Sequence, residues 1–323
     1  MSNPVFICTD CHDPYTNLAV ERYLTENAAP GRPVLFLWSN RDSIVVGRNQ
    51  DCRAECNTEA MKADGVNLVR RFSGGGAVWH DLGNLCFSFC ADERDYSVPR
   101  QTSVVIGACR LLGIDASSTG RNDIEAGGLK FSGSAYYQAG SGRCHHGTLM
   151  LSCSLDKMAR YLTASDQKLR KHAVRSVRSR VVNIRDIAPD ATMDSLIEAL
   201  REAFQGEYGN VITVPVPDSG RIDDMASLLR SDSWIYGRNP EIVKTLRGSF
   251  PWGEFELRLS VKNGVIQDAV CISDMMNGEL PLRLEKALVG RPCTAGEISD
   301  AAEKELDPDM ARDIRDLTRD LTK

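Results

Sequence analysis

The stretch Arg70–Phe89, RRFSGGGAVWHDLGNLCFSF, holds the densest chemistry in the chain. Two arginines and Ser73 lead into three consecutive glycines, Gly74, Gly75 and Gly76, and Ala77-Val78-Trp79 follows. Adjacent glycines weaken a helix or a strand, so the sequence predicts a tight loop here. With no side chains in the way, successive backbone N–H groups can line a concavity that suits phosphate or carboxylate oxygens. Arg70 and Arg71 add fixed positive charge, and a guanidinium binds such oxygens in bidentate fashion. A GGG run by itself fits a plain hairpin equally well; the arginine pair favours the anion-binding reading. No Gly-Lys-Ser/Thr follows at P-loop spacing, which argues against an ordinary P-loop NTPase.

A second cluster joins GRNDI (120–124) to KFSGSA (130–135) through Ala126-Gly127-Gly128-Leu129, a hairpin-turn signal. The turn brings Lys130 back toward Asn122 and Asp123. A lysine beside a Ser-Gly-Ser turn can project its ammonium into a cleft. A carboxylate near phosphates acts through Mg2+, an ion that takes oxygen ligands. Taken singly, Lys130 reads as a surface lysine and Asp123 as a turn residue; beside the arginine–glycine loop they form a pattern. Cys8-Thr9-Asp10-Cys11-His12 matches the CxxCH haem-attachment pattern, but it adjoins a predicted strand and follows no export signal. Cys144, His145 and His146 raise a soft metal site, against which a structural role is favoured. The pairs Cys52/Cys56 and Cys86/Cys90 read as packing thiols.

These residues need a scaffold. Val5–Thr9 reads as a first strand, and Asp13-Pro14 introduces a helix over 16–27. Val34–Trp38 and Ser43–Gly47 read as buried strands, and a short helix near Thr58–Ala63 stops at Gly65. Segments 66–69 and 85–89 read as strands that hold the glycine loop. Val104, Val105, Ala108, Leu111 and Leu112 recur at helical spacing before Gly113. His145-His146-Gly147 leads into a strand over 148–151. Met193, Leu196, Ile197, Leu200 and Phe204 mark a helix capped by Thr192. Beyond about residue 245, alternating Phe255, Leu257, Leu259 and Val261 turn back at Asn263-Gly264, the strongest hairpin signal in the chain. A helix with a Thr294/Glu297 capping box follows, then one starting at Asp307-Pro308 with Met310, Ile314, Leu317 and Leu321 on one face.

The 323 residues allow one large or two ordinary domains. Hydrophobic content of 42% and charged content of 26% suit a globular chain with a sizeable core. A net charge of -5 and a pI of about 5.7 argue against nonspecific nucleic-acid binding. No basic-then-apolar leader and no span-length apolar run are present, and the eleven cysteines are scattered. Together these lead us to expect a cytoplasmic protein with reduced thiols and no membrane association.

RRFSGGGAVWHDLGNLCFSF, GRNDI, KFSGSAYY, HHGTLML and SVRSRVVNI occur in an order and at spacings that resemble lipoate–protein ligase A. DPYTNLAVERYL and VLFLWSNRDSIVVGRNQ resemble that family too. The likeness covers most of the first 245 residues, and the remainder is similar, more loosely, to the accessory domain of the larger members. The resemblance implies an α+β fold: a mixed, largely antiparallel sheet flanked by helices, as in biotin ligases and class II aminoacyl-tRNA synthetases, plus a small C-terminal α+β domain. It implies a lipoate/ATP-binding catalytic domain over 1–245 and an accessory domain over 246–323. Gly237–Pro240 through Pro251–Gly253 would be the connecting hinge.

The implied reaction has two steps. Lipoate and MgATP give lipoyl-adenylate and pyrophosphate; the lipoyl group then passes to a lysine on a lipoyl domain of a 2-oxoacid dehydrogenase E2 subunit or on the glycine-cleavage H protein. The family's functional lysine falls on Lys130 and its nucleotide-binding arginine on Arg71. Its ATP and lipoyl-AMP contacts fall on Arg71, Ser73, Gly74, Gly75, Gly76, Ala77, Val78, Trp79, Asn84, Asp123, Lys130 and His146, with Asp123 reaching Mg2+ through the phosphates. Side chains of Val34–Trp38 and Val45-Val46 are candidates for an apolar channel. Trp79 stands where phenylalanine is common, and the span from Asp123 to Lys130 is short for the family. The alternative is an ATP-independent octanoyl or lipoyl transferase on the same scaffold; the Arg71–Gly76 loop and the C-terminal segment favour the ligase. The arginine-rich loop of biotin ligases is not found. A pure binding module would need neither Lys130 nor the arginine pair.

Overall fold

The structure is a computed structural model that describes residues 3–119, 122–163, 181–237 and 244–319. In chain order the strands are β1 (Val5–Cys8), β2 (Val34–Trp38), β3 (Ser43–Val46), β4 (Asn67–Arg70), β5 (Val78–His80), β6 (Asn84–Asp92), β7 (Ala116–Thr119), β8 (Asp123–Ala126), β9 (Leu129–Ala139), β10 (Gly142–Met150), β11 (Ile212–Thr213), β12 (Lys244–Phe250), β13 (Gly253–Lys262) and β14 (Val265–Ser273). The helices are α1 (Pro14–Glu26), α2 (Cys52–Glu55), α3 (Thr58–Asp64), α4 (Val98–Leu111), α5 (Leu155–Tyr161), α6 (Ile184–Ile187), α7 (Met193–Tyr208), α8 (Gly220–Arg230), α9 (Asp232–Ile235), α10 (Glu279–Leu288), α11 (Ala295–Glu305) and α12 (Pro308–Thr318). None of the helices among the described residues is long and apolar enough to cross a membrane. The chain divides into two compact units.

The first unit comprises Met1–Val45, Arg53–Val69 and Val78–Ser231. Its sheet has eight strands in the order β11-β1-β2-β6-β10-β9-β8-β7. β1 runs parallel to β11 and β2; the other neighbours are antiparallel, so the sheet is mixed. Strand β2, VLFLW, is buried along its whole length, as a central strand covered on both faces must be. Leu35 and Leu37 join Phe87, Phe89 and Leu149 against Val104, Val105 and Ala108 of α4 and Leu196, Leu200 and Phe204 of α7. Residues of opposite parity point the other way, toward α1. Asp13 caps α1 by accepting from the Thr16 amide at 2.9 Å, with Pro14 in the first turn. Thr192 caps α7 in the same manner. A smaller sheet, β4-β3-β5, lies in the chain on either side of the glycine run.

The β8–β9 turn forms as its sequence predicts, with Gly127 and Gly128 at φ 58° and 78°. The segment Ser132-Gly133-Ser134 differs from expectation: it is no turn but lies inside the long strand β9. Ile124 faces Ser132 while Glu125 faces Lys130, so Phe131 is the extra residue of a β-bulge. The bulge sends Phe131 into the core beneath α4, a fully buried position.

The second unit comprises Val46–Cys52, Arg70–Ala77 and Asp232–Lys323. It contains the antiparallel meander β12-β13-β14. The β13–β14 turn uses Asn263 and Gly264 at φ 53° and 77°. Leu257, Leu259, Ile266 and Ala269 of the sheet pack on Leu284, Leu288, Ile298, Ala302 and Ile314 of the helices. Met310 and Leu317 border that core, as the periodicity predicts; Leu321 lies outside the described residues. The capping box at α11 is half formed: Thr294 accepts from the Glu297 amide, but the Glu297 carboxylate binds Arg291 at 3.2 Å instead. Gly120, Arg121, residues 176–180 of SVRSRVVNI and the hinge segment 238–240 lie outside the described residues.

His145 of β10 is buried on the α4 side among Phe87, Phe89 and Tyr136, with Nδ1 3.1 Å from Gln101 Oε1. Burial first, and the neighbouring His146 second, pull its pKa from 6.5 down to about 3. The folded state therefore refuses a proton that the unfolded chain accepts, and stability falls as pH drops from 6.5 toward 3. Thermal unfolding across that window should show His145→Gln losing less of its melting temperature than the parent. Parallel losses would contradict this assignment.

Candidate functional site

The face of the large sheet beneath α1 is unusually polar for an interior. Asn17, Glu21 and Thr25 recur at four-residue spacing on one stripe of α1, and all three are buried. Ser88 and Cys90 of β6 and Cys144 and His146 of β10 come from strand positions of matching parity. Glu21 has no exposed surface. Its Oε2 accepts from Ser88 Oγ and lies 2.8 Å from His146 Nδ1. Ser88 Oγ in turn accepts from Trp38 Nε1 at 3.0 Å. Thr25 Oγ1 lies 3.0 Å from the Tyr137 hydroxyl and 3.4 Å from Cys90 Sγ. A second chain runs from Asn17 to Asn40 at 3.0 Å and on to His80 Nδ1 at 3.1 Å. Cys86 Sγ lies 3.6 Å from that ring nitrogen, and Asn84 Nδ2 donates to the same sulfur at 3.3 Å. Burial, before any neighbouring charge, pushes the Cys86, Tyr137 and Cys144 pKa values well up, which keeps these groups protonated.

Along β9 the same face becomes accessible. Lys130 Nζ and Asp123 Oδ1 form an ion pair at 2.7 Å, each side chain about one-third exposed (35% and 31%). Gly133 makes room for it: a Cβ there would sit 3.0 Å from Lys130 Nζ and 3.9 Å from Asp123 Oδ1. The register that places Asp123 opposite Gly133 thus positions the pair. The Val182 amide donates to the Lys130 carbonyl at 2.9 Å and fixes the backbone below the side chain. A half-open cation partnered by one carboxylate can neutralise an incoming anion, and its partner keeps it aimed.

Val78 and Trp79 belong to β5, where they face Val45 and Ile44 of β3. The Trp79 ring is buried and stacks on Tyr161 at 5.4 Å, and its Nε1 donates to Asp81 Oδ2 at 2.9 Å. Asp81 also accepts from the Gly83 and Ser154 amides, so it ties the β5–β6 turn to the start of α5.

The arginine–glycine loop is built within the second unit. Arg70 is buried and spends its guanidinium on main-chain carbonyls: Gly47, Arg48, Gln50, Trp234 and Ile235. Arg71 turns into its own loop, donating to Ser73 Oγ, Gly74 O and Gly76 O at 2.9, 2.6 and 2.8 Å. Gly75 has φ 86°, a backbone conformation glycine alone adopts freely, and its amide donates to the Met275 carbonyl at 3.1 Å. The Gly75 amide is therefore already hydrogen-bonded within this unit. Ser73 is buried, and Ala77 closes the segment before β5.

Arg71, Ser73, Gly74, Gly75, Gly76 and Ala77 thus gather in the second unit; Val78, Trp79, Asn84, Asp123, Lys130 and His146 belong to the first. Sequence reasoning missed Glu21, Ser88 and Tyr137. The signal was present in two periodicities: Asn17, Glu21 and Thr25 on one helical stripe, and Cys86, Ser88 and Cys90 on one strand face. It also missed that His145 and His146 part company, one to each side of the sheet.

Residues 13–205 match the lipoyl protein ligase A/B catalytic domain, and residues 239–316 match the bacterial lipoate protein ligase C-terminus. Among solved structures, P. falciparum LipL1 in complex with lipoate is similar at 27% identity and a TM-score of 0.84, over 97% of this chain and 98% of that one. A bipartite lipoate protein ligase from Thermoplasma acidophilum, studied with its E2 lipoyl domain, is similar at 25% identity and a TM-score of 0.66, over 75% and 100%. A lipoate–protein ligase A bound with ATP shares the fold at 24% identity and a TM-score of 0.62, over 73% and 98%.

The loop geometry separates two of its glycines. A Cβ at Gly74 would lie 2.0 Å from the Met275 carbonyl oxygen and 2.7 Å from that of Met276, both main chain. Gly76 has nothing within 4 Å of such an atom. Gly74→Ala should cost on the order of 1–3 kcal/mol, because backbone must move to admit the methyl group. Gly76→Ala should stay within about 0.5 kcal/mol of the parent. Equal losses in urea unfolding would contradict the loop's packing.

Proposed function

Because the chain belongs to the lipoyl protein ligase A/B catalytic-domain family and continues into a bacterial lipoate protein ligase C-terminal segment, we propose that it attaches lipoate to protein lysines using ATP. The observation that carries this reading is the Lys130–Asp123 pair, a one-third-exposed cation held at 2.7 Å by one carboxylate on the accessible end of a polar sheet face. Two similar proteins point the same way: one was solved with lipoate, and the other was studied with an E2 lipoyl domain.

A carboxylate is a poor acyl donor, because its leaving group would be an oxide. In the first step a lipoate carboxylate oxygen attacks the α-phosphorus of ATP, and pyrophosphate departs. In the second, an acceptor lysine amine attacks the acyl carbon, AMP departs, and the amine loses a proton. The first step brings two anions together, so it needs fixed positive charge placed in advance. Lys130 supplies that charge to the carboxyl and α-phosphate oxygens. It acts electrostatically, since an acyl-lysine amide would be a stable dead end. Arg71 and the Gly74–Gly76 main chain serve the nucleotide, and Ala77, Val78 and Trp79 adjoin it through backbone groups.

Asp123 fits a Mg2+ that arrives with ATP. It offers a carboxylate oxygen in a partly exposed position, and Mg2+ commonly takes one or two protein carboxylates and completes its shell with phosphates and water. When bound, the ion would spread the charge of the phosphates. Acceptors are lipoyl domains of E2 subunits and the glycine-cleavage H protein. Residues 1–245 form the catalytic part and 246–323 the accessory part.

Lys130→Ala should keep its fold, because the side chain is one-third exposed and leaves no buried cavity. Its pyrophosphate release with lipoate and ATP should fall by about 10²–10³, the cost of removing one preorganised electrostatic donor. Release at the parental rate would overturn the role of Lys130. Failure of the parent itself to release pyrophosphate would favour the ATP-independent octanoyl or lipoyl transferase instead.

A further inference from the structure

On the α4 side of the large sheet, away from α1, the helix and strands β7 to β9 border a cavity of about 340 Å³. All of its lining residues belong to the first unit. Thr102 and Ile106, one helical turn apart on α4, form one wall with Pro99. Ile124 of β8 and Ser134 and Tyr136 of β9 form the other. Ser134 and Tyr136 share a face because side chains two apart on a strand point the same way. Asp123 borders the cavity, but its carboxylate is engaged with Lys130 at 2.7 Å.

Ser134 is only 7% exposed, and both of its main-chain groups are spent on Asn122. Its amide donates to the Asn122 carbonyl and its carbonyl accepts from Asn122 Nδ2, both at 2.8 Å. The Ser134 hydroxyl has no partner among the described residues, and neither do those of Thr102 and Tyr136. A buried hydroxyl left unmet is costly, and interiors rarely leave one so. The Tyr136 ring is held against His145, with ring centres 4.8 Å apart. Burial pushes the Tyr136 phenol pKa up, so its hydroxyl stays protonated and able to donate.

Each of these hydroxyls can donate or accept, so together they suit a ligand whose own groups do both. Pro99, Ile106 and Ile124 offer hydrocarbon to the C–H edges of a ring. Among the described residues that line the cavity, Asp123 is the one charged residue, and Lys130 already meets its charge. A charged ligand would therefore lose its hydration here without gaining a counter-charge. The volume lies at the lower end of the range of small-molecule sites, about 300–1,000 Å³. We infer that this cavity binds a small neutral ring bearing several hydroxyls, of sugar or cyclitol type, with Thr102, Ser134 and Tyr136 as its hydrogen-bond partners. The inference is separate from the ligase reading and uses none of the side chains assigned to lipoate or ATP.

The test is saturation-transfer NMR of the purified full chain with two neutral probes, myo-inositol and D-glucose, and with glucose 6-phosphate as the charged counterpart. A ligand of about a dozen heavy atoms should bind with a Kd near about 1 mM. Ser134→Ala should weaken binding about three- to tenfold, the range of one neutral hydrogen bond. Thr102→Phe, at a half-buried helix position, fills the cavity and should abolish binding. Ser249→Ala, an exposed position in the second unit, should bind as the parent does. A folded parent that takes up neither neutral probe would overturn the site, as would Ser134→Ala and Thr102→Phe binding as tightly as the parent. Tighter binding of glucose 6-phosphate than of D-glucose would overturn the neutral class. Where a variant fails to fold, amide shift changes in the parent decide. Changes centred on Thr102, Ser134 and Tyr136 support the site, and changes elsewhere overturn it. Every reading is taken without lipoate or ATP, so none depends on ligase activity.

Discussion

The antiparallel pairing of β9 with β8 on one side and β10 on the other is the constraint on which the larger unit's chemistry rests. Side chains alternate across a strand, so register alone decides which residues reach which face. Pairing Asp123 with Gly133 sets the carboxylate over a position with no side chain, and Lys130 fills the vacated space. Pairing His146 with Ala135 turns its ring toward Glu21, while His145 opposite Tyr136 enters the apolar side. A slip of one residue would exchange the two histidines. The apolar packing of Phe87, Phe89 and Leu149 against α4 and α7 opposes that slip, because it would bury charge in place of hydrocarbon. The bulge at Phe131 reconciles the two neighbours: it keeps an apolar side chain in the core while Lys130, one residue earlier, stays half open.

Cations in the second unit are used differently. Arg70 binds five carbonyls drawn from residues 47–50 and 234–235, so its charge is met by main-chain dipoles. A planar five-donor group does this where an ammonium could not. Arg71 does the same on a smaller scale inside its own loop. The arginine pair therefore gives shape to the glycine run as well as charge. The Met275 carbonyl at the Gly75 amide stands where an anionic oxygen would find a donor.

Much of this was legible in the sequence, and the reasons are local. Turn glycines at 127–128 and the Asn263-Gly264 pair require left-handed backbone, which few other residues supply, so both hairpins were readable. Caps at Asp13 and Thr192 follow from side chains that satisfy nearby amides. The mixed sheet came from resemblance, since strand order depends on contacts distant in sequence. Ser132-Gly133-Ser134 misled because its residue types are those of turns; tertiary pairing overrode them. The Thr294/Glu297 pattern gave only half its box because Arg291 offers the carboxylate a charged partner. Glu21 was missed because a glutamate on a helix is normally solvated, and only its alignment with Asn17 and Thr25 marked it as buried.

The intact mass of a purified lipoyl domain tests the proposed ATP-driven acylation of a protein lysine most directly. Incubated with this chain, lipoate and ATP, the domain should gain one lipoyl group at its acceptor lysine, and none when ATP is withheld. A domain that stays unmodified, or that is modified equally without ATP, would contradict the account.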